Sequence, residues 1–186
     1  DSGLPYFVME YVRGVPFTTY CDDHRLTVEE RLHLFIQVCQ AIQHAHQNCV
    51  VHGDIKPSNI LIEEHDGVPV PKTIDFGISR ATEGRGADRH PDTARAQLIG
   101  TPAYMSPEQV ELDGMEIDTR SDIFSLGVLL YELLCGRTPI DSGLLAKADF
   151  EEIREIFQTH ERVPPSERLA ALDAGEQVRI AASRRI

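Results

Sequence analysis

The stretch from Val50 to Ile62, V-V-H-G-D-I-K-P-S-N-I-L-I, constrains this chain more than any other. Val50-Val51 and Ile60-Leu61-Ile62 are aliphatic or β-branched, as short buried strands are. The polar loop between them carries Asp54, Lys56 and Asn59. An acid, a cation and a carboxamide on one tight loop suit phosphoryl transfer: the acid orients or deprotonates a hydroxyl, the lysine offsets phosphate charge, and the carboxamide oxygen ligates Mg2+. Pro57 stiffens the turn, so the side chains lose little freedom on converging.

A second acidic motif, Asp75-Phe76-Gly77, follows the apolar run Val70 to Ile74. It puts a carboxylate at a strand end beside a residue that allows a sharp turn. Asp75 and Asn59 together could hold a hard, oxygen-seeking cation such as Mg2+.

H-G-D-I-K-P-S-N, then D-F-G, then G-T-P-A-Y-M-S-P-E at Gly100 to Glu108 occur in that order. Together they resemble the C-terminal lobe of a protein kinase, in the serine/threonine branch and particularly the bacterial eukaryotic-like kinases. The resemblance implies an α+β, mainly α fold: a protein-kinase-like C-lobe with short β-hairpins at the active site. It makes residues 1–186 a partial kinase domain, with 1–14 as the last N-lobe strand and hinge, 15–160 as C-lobe and 161–186 as an incomplete tail. It implies ATP and Mg2+ as cofactors and protein substrates with Ser or Thr acceptors. Asp54, Lys56 and Thr101 become the catalytic set, with Thr101 hydrogen-bonding Asp54 and Lys56. Met9, Glu10, Val12, Lys56, Asn59, Leu61 and Asp75 become the nucleotide site. Within it, Met9 limits the back of the adenine pocket, the backbone of Glu10 and Val12 meets the adenine edge, Gly14 frees the hinge, and Leu61 lies beneath the ring. Asn59 and Asp75 become the metal ligands. His52 organises the loop, and Asp122 holds the backbone around it. Glu108 is expected to pair with a late arginine that the sequence does not identify; unpaired and partly buried, it would destabilise the chain.

One departure from the pattern is Gly53, which stands where many kinases have an arginine that pairs with an activation-segment phosphate. An enzyme less dependent on that phosphorylation is expected. The chain holds no G-x-G-x-x-G and no V-A-I-K-like strand, so it is expected to be part of a longer chain and inactive alone. Two alternatives stand beside the kinase reading. One is a non-catalytic kinase-like scaffold. The other is a small-molecule phosphotransferase, whose H-G-D-x-x-x-x-N loop is similar but usually lacks the lysine and the G-T-P-x-Y-M-S-P-E segment.

Elsewhere the patterns are local. Tyr6 to Val12 is mostly apolar and reads as a doubly covered strand, and Thr18 to Asp23 as a helical turn. Thr27-x-x-Glu30 is a capping box opening a helix from Val28 to Gln47, with Leu32, Phe35, Ile36, Cys39 and Ile42 on its apolar face. His44 and His46 near its end face different ways and read as structural or dipole partners. Glu63 to Pro71 predicts a hairpin turning at Asp66-Gly67. Ser79 to Leu98, with candidate phosphosites Thr82 and Thr93, reads as a mobile loop. Ser121 to Cys135 reads as a buried helix with Asp122 capping its start and Gly136 stopping it. Asp149 to Thr159 reads as an amphipathic helix, and Ser166 to Ile186 as helix with a weak pattern.

A net charge of −12 argues against a nucleic-acid surface. Cys21, Cys39, Cys49 and Cys135 form no C-x-x-C pair, so neither zinc nor a redox couple is suggested, and free thiols fit a reducing cytoplasm. No apolar run reaches the roughly 18 residues of a spanning helix. A cytoplasmic location is expected, with any membrane anchor outside these residues.

Overall fold

A computed structural model of the chain describes residues 8–76, 102–111 and 117–186. The chain enters through a two-residue strand, Val15–Pro16 (β1), and helix Phe17–Asp23 (α1). Helix Val28–Gln47 (α2) follows, with the expected boundaries. Its capping box forms in both directions: the Glu30 N–H donates to the Thr27 hydroxyl, and the Glu30 carboxylate accepts from the Thr27 N–H at 2.7 Å. The buried stripe of α2 is Arg31, Leu34, Phe35, Val38 and Ile42. Phe35 and Ile42 match the expected face, but Ile36 is 53% exposed. The stripe is rotated toward the 31/34/38 row because Arg31 points inward. That guanidinium is fully buried and donates to the Leu26, Cys21 and Ser183 carbonyls and to the Asp22 carboxylate.

A tight 3-10 turn at Pro57–Asn59 leads into Ile60–His65 (β2), which pairs antiparallel with Val68–Thr73 (β3). Asp66 and Gly67 both take positive φ (54° and 78°), the geometry of a two-residue hairpin turn that matches strand twist. β1 adds to the other edge of β2, in register Val15 with Ile62 and Pro16 with Leu61. Two expected strands do not form among the described residues. Val50-Val51 is irregular, because Cys49 at φ 58° turns the chain and the Val50 N–H bonds back to Ala45 O, finishing α2. The described part of Tyr6 to Val12 is irregular too, and Val8 and Tyr11 are 89% and 81% exposed. No neighbouring strand pairs with or covers them among the described residues.

After a 3-10 turn at Pro102–Tyr104 and helix Pro107–Glu111 (α3) comes Thr119–Cys135 (α4). It starts two residues before the expected point, since Asp118 rather than Asp122 caps it by accepting from the Arg120 N–H at 2.7 Å. α4 lies between two cores. Leu126, Leu129 and Leu133 join Phe17, Leu34, Val38, Ile55 and Ile60 in the first; Val128 joins Ala103, Tyr104, Ile140, Ile153 and Phe157 in the second. A helix feeding cores on both sides must be apolar nearly all round. Gly136 ends it at φ 72°.

Helices Ser142–Leu145 (α5), Phe150–Thr159 (α6), Pro165–Ala170 (α7) and Ala174–Arg184 (α8) complete the chain. α6 opens with a second capping box, Asp149 with Glu152. The weakly patterned tail is docked by Ile180 and Arg184, both buried; Arg184 Nε donates to Leu133 O at 3.0 Å. Cys21 and Cys135 are fully buried and Cys39 partly so, and burial pushes all three thiols up, Cys21 to about 12. They are packing groups rather than reactive ones.

Candidate active site

The loop after α2 is organised by His52, which is fully buried. Its Nδ1 accepts the Asp54 N–H at 3.2 Å, and its Nε2 donates to Ile74 O at 3.0 Å. Only the neutral tautomer protonated on Nε2 fits both roles. Burial holds its pKa below the usual histidine value, outweighing Asp122 and the Ile74 carbonyl, which favour the cation. The Phe76 ring lies 4.7 Å from the His52 ring. Ile74 N–H also donates to Asn59 O at 2.9 Å. Asp75 is thus gripped through both neighbours against the loop that carries Asp54 and Asn59. It sits at φ 63°, a left-handed conformation in which aspartate is among the better tolerated residues.

Asp54, Lys56 and Asn59 converge on one carboxylate oxygen. Asp54 Oδ2 accepts from Lys56 Nζ at 2.8 Å and from Asn59 Nδ2 at 2.9 Å. Asn59 Nδ2 also donates to Asp54 O at 2.8 Å. Two oxygens facing the amide nitrogen settle which way the carboxamide lies, with its own oxygen at the opposite end. The Asp54 side chain remains 47% exposed, so it is held without being covered.

Asp122, 1% exposed, anchors the loop from α4. Its Oδ2 accepts from the His52 N–H at 2.9 Å and from His46 Nε2 at 2.7 Å, and its Oδ1 accepts from the Gly53 N–H at 2.8 Å. His46 is therefore structural, as expected of it. Gly53 takes φ 74° with nothing within 4 Å of where a Cβ would stand, so the position is open in space but strained for a side chain.

Sequence reasoning missed Gln109. Its Nε2 donates to Gly53 O at 2.7 Å, while its Oε1 accepts from Ser106 N at 2.9 Å, tying the Pro102–Glu108 segment to the loop. Only its place directly after S-P-E could have drawn attention to it. Glu108 has a different partner from the expected arginine: the Ser121 hydroxyl donates to it at 2.5 Å. Burial raises its pKa, but this bond and its neighbours outweigh burial and hold the carboxyl below the usual range. The Ser121 bond therefore offsets the burial of Glu108. Tyr104 OH in the same segment donates to the Glu132 carboxylate on α4.

Met9, Glu10 and Val12 lie on the irregular entry segment, Met9 being 55% exposed. Leu61 is half-buried on β2 between Pro16 and Lys72. Gly14 also allows a close approach: a Cβ there would stand 2.8 Å from Leu61 Cβ and 2.9 Å from Ile62 O. Thr101, Gly77 and the Ser79–Leu98 loop with its candidate phosphosites lie outside the described residues.

A family model described as the protein kinase domain matches residues 2–177. The chain belongs to the protein kinase domain family. It is 38% identical over 172 residues to the serine/threonine-protein kinase PknB of Mycobacterium tuberculosis, covering 92% of this chain and 25% of that protein. It is 39% identical over 153 residues to the serine/threonine-protein kinase Pkn1 of Myxococcus xanthus, covering 81% and 21%. It is also 39% identical over 156 residues to a probable serine/threonine-protein kinase of Streptomyces coelicolor, covering 83% and 22%. The chain spans about a quarter of the length of these curated relatives. The mainly helical kinase fold with a small antiparallel sheet agrees with this membership.

Proposed function

We propose that this chain carries the catalytic loop of a bacterial-type serine/threonine protein kinase, which moves the γ-phosphoryl of ATP to a Ser or Thr hydroxyl of a protein. The observation that carries the reading is the convergence of Lys56 and Asn59 on Asp54 Oδ2, in a chain of the protein kinase family. Asp54 orients the acceptor hydroxyl and receives its proton. Lys56, already beside that carboxylate, offsets charge on the transferred phosphoryl. Thr101 favours a Ser or Thr acceptor.

The oxygens of Asn59 and Asp75 fit Mg2+, a hard cation that takes few protein ligands and keeps its waters. Among the described residues no group of three or more His, Cys, Asp and Glu gathers into a metal site, and this pair would suffice. Bound there, Mg2+ would neutralise triphosphate charge. Met9, the backbone of Glu10 and Val12, and Leu61 form the adenine side of the cleft.

Lys56 and the relatives' names favour protein over small-molecule acceptors. Among the described residues no helix is long and apolar enough to cross a membrane, and the kinase portion is proposed to be cytoplasmic. Residues 1–186 alone are proposed to be inactive. The test is transfer from radiolabelled ATP with Mg2+ to a generic basic protein by the full-length protein. Asp54→Ala is expected to lower kcat at least about 1,000-fold. Equal activity of the variant would overturn the assignment, as would transfer to an aminoglycoside and not to the protein.

A further inference from the structure

β1 is only two residues long, and Pro16 has no N–H to give to its partner strand. The ladder that holds the entry segment against β2 is therefore weak, and it ends at Val15, three residues after Val12. Beyond that point a side chain takes over. Glu63 Oε1 accepts the Arg13 N–H at 2.7 Å. Glu63 Oε2 stands 3.3 Å from Lys72 Nζ, and Lys72 Nζ in turn donates to Glu10 Oε1 at 2.6 Å. Glu63 is on β2 and Lys72 on β3, so the hairpin grips the entry segment on both sides of Val12. The backbone of Glu10 and of Val12 makes no hydrogen bond among the described residues.

We infer that Glu63, with Lys72 as its lesser partner, is a positioning residue that presents the Glu10–Val12 backbone to the nucleotide base. The inference rests on the kinase reading above and deepens it. The two contacts are unequal. Glu63 is 13% exposed and bonds a backbone amide, whereas the Lys72–Glu10 pair is open on the Glu10 side, which is 73% exposed. Exposed pairs contribute little, and charged bonds to backbone amides contribute more. The Arg13 amide also holds the Glu63 carboxyl below its usual range, with Lys72 adding to the effect.

The test uses the full-length protein, with KM for ATP, kcat and the directly titrated Kd of ATP measured for Glu63→Ala, Glu63→Gln, Lys72→Met and Lys72→Arg. Glu63→Ala is expected to raise KM and Kd about fivefold with kcat within about twofold. Glu63→Gln, which keeps a neutral acceptor for Arg13, falls between Ala and wild type. Lys72→Met raises KM about twofold, and Lys72→Arg restores it. Unchanged KM and Kd in Glu63→Ala would overturn the inference while leaving the kinase reading intact, and so would a fall in kcat alone. If the wild type binds ATP without transferring phosphate, the Kd series still decides. If it binds no nucleotide, both readings fall. Thermal melts separate misfolding from mispositioning, and Lys72→Met gives a second route should Glu63→Ala fail to fold.

Discussion

The buried carboxylate of Asp122 accepts the amides of His52 and Gly53 and so holds two loop N–H groups that would otherwise lack a partner in the interior. His52 completes the arrangement from within, and its roles require the neutral ring. Its folded pKa is depressed, so the unfolded chain takes up the proton first as pH falls. The stability held by neutral His52 is complete above about pH 6.5, the unfolded value, and is lost as pH drops through that point toward the folded pKa. Urea midpoints taken from pH 7.5 to 5.5 are expected to fall more steeply for the wild type than for His52→Asn. Parallel curves would mean that His52 is not buried as the neutral form. Asp54, Lys56 and Asn59 were legible as a group because they lie on one short turn. Asp122 was legible only through the family pattern, since nothing local relates residue 122 to residues 52 and 53. Gln109 and Glu63 were not legible, because their hydrogen bonds reach 56 and 50 residues along the chain.

At the scale of elements, the signals that survived are those written within one turn of chain. Both helix-opening capping boxes, the positive-φ pair at Asp66-Gly67 and the stop at Gly136 depend on neighbours a few residues away, and only the Asp149 box went unread. The apolar face of α2 was only half legible. Apolar residues recur on two adjacent rows of that helix, and the choice between them is made by the buried Arg31, which reaches Asp22 and Ser183 on other elements. The same distinction explains the missing strands, since a run such as Val50-Val51 becomes a strand only where a partner edge exists. The rotated face has a measurable consequence. Leu34 is 3% exposed and Ile36 is 53% exposed. Leu34→Ala should cost about 2–5 kcal/mol, the usual range for emptying a packed leucine site, whereas Ile36→Ala should cost less than about 1 kcal/mol. Chemical denaturation of both variants checks the order, and a larger loss at Ile36 would restore the face of Leu32, Phe35, Ile36, Cys39 and Ile42.

Across the described residues, the loop that carries Asp54 is tightly held, which would make it the firm lower wall of the proposed cleft, and the entry segment is open. The loop that carries Asp54 is anchored from α4 through Asp122 and from α3 through Gln109. Of the residues proposed to meet the base, Met9 is 55% exposed and Val12 and Leu61 are half-buried, while the neighbouring Val8 and Tyr11 are 89% and 81% exposed. Phosphoryl transfer relies on fixed charge around the triphosphate and on exclusion of water, both of which weaken in an open site. The chain's own sequence supplies no glycine-rich phosphate loop and no strand lysine to close that side. Asp54 and Lys56 can therefore be correctly placed in residues 1–186 without a nucleotide being held against them. This polypeptide alone is expected to transfer no measurable phosphate from radiolabelled ATP, under conditions where the full-length protein turns over. Its cooperative unfolding should nevertheless show an intact core, because the two apolar clusters and the Asp122 anchor lie wholly within it. Transfer by residues 1–186 that disappears in Asp54→Ala would show the lower wall to be sufficient, and closure of the opposite side of the cleft would then be dispensable for the chemical step.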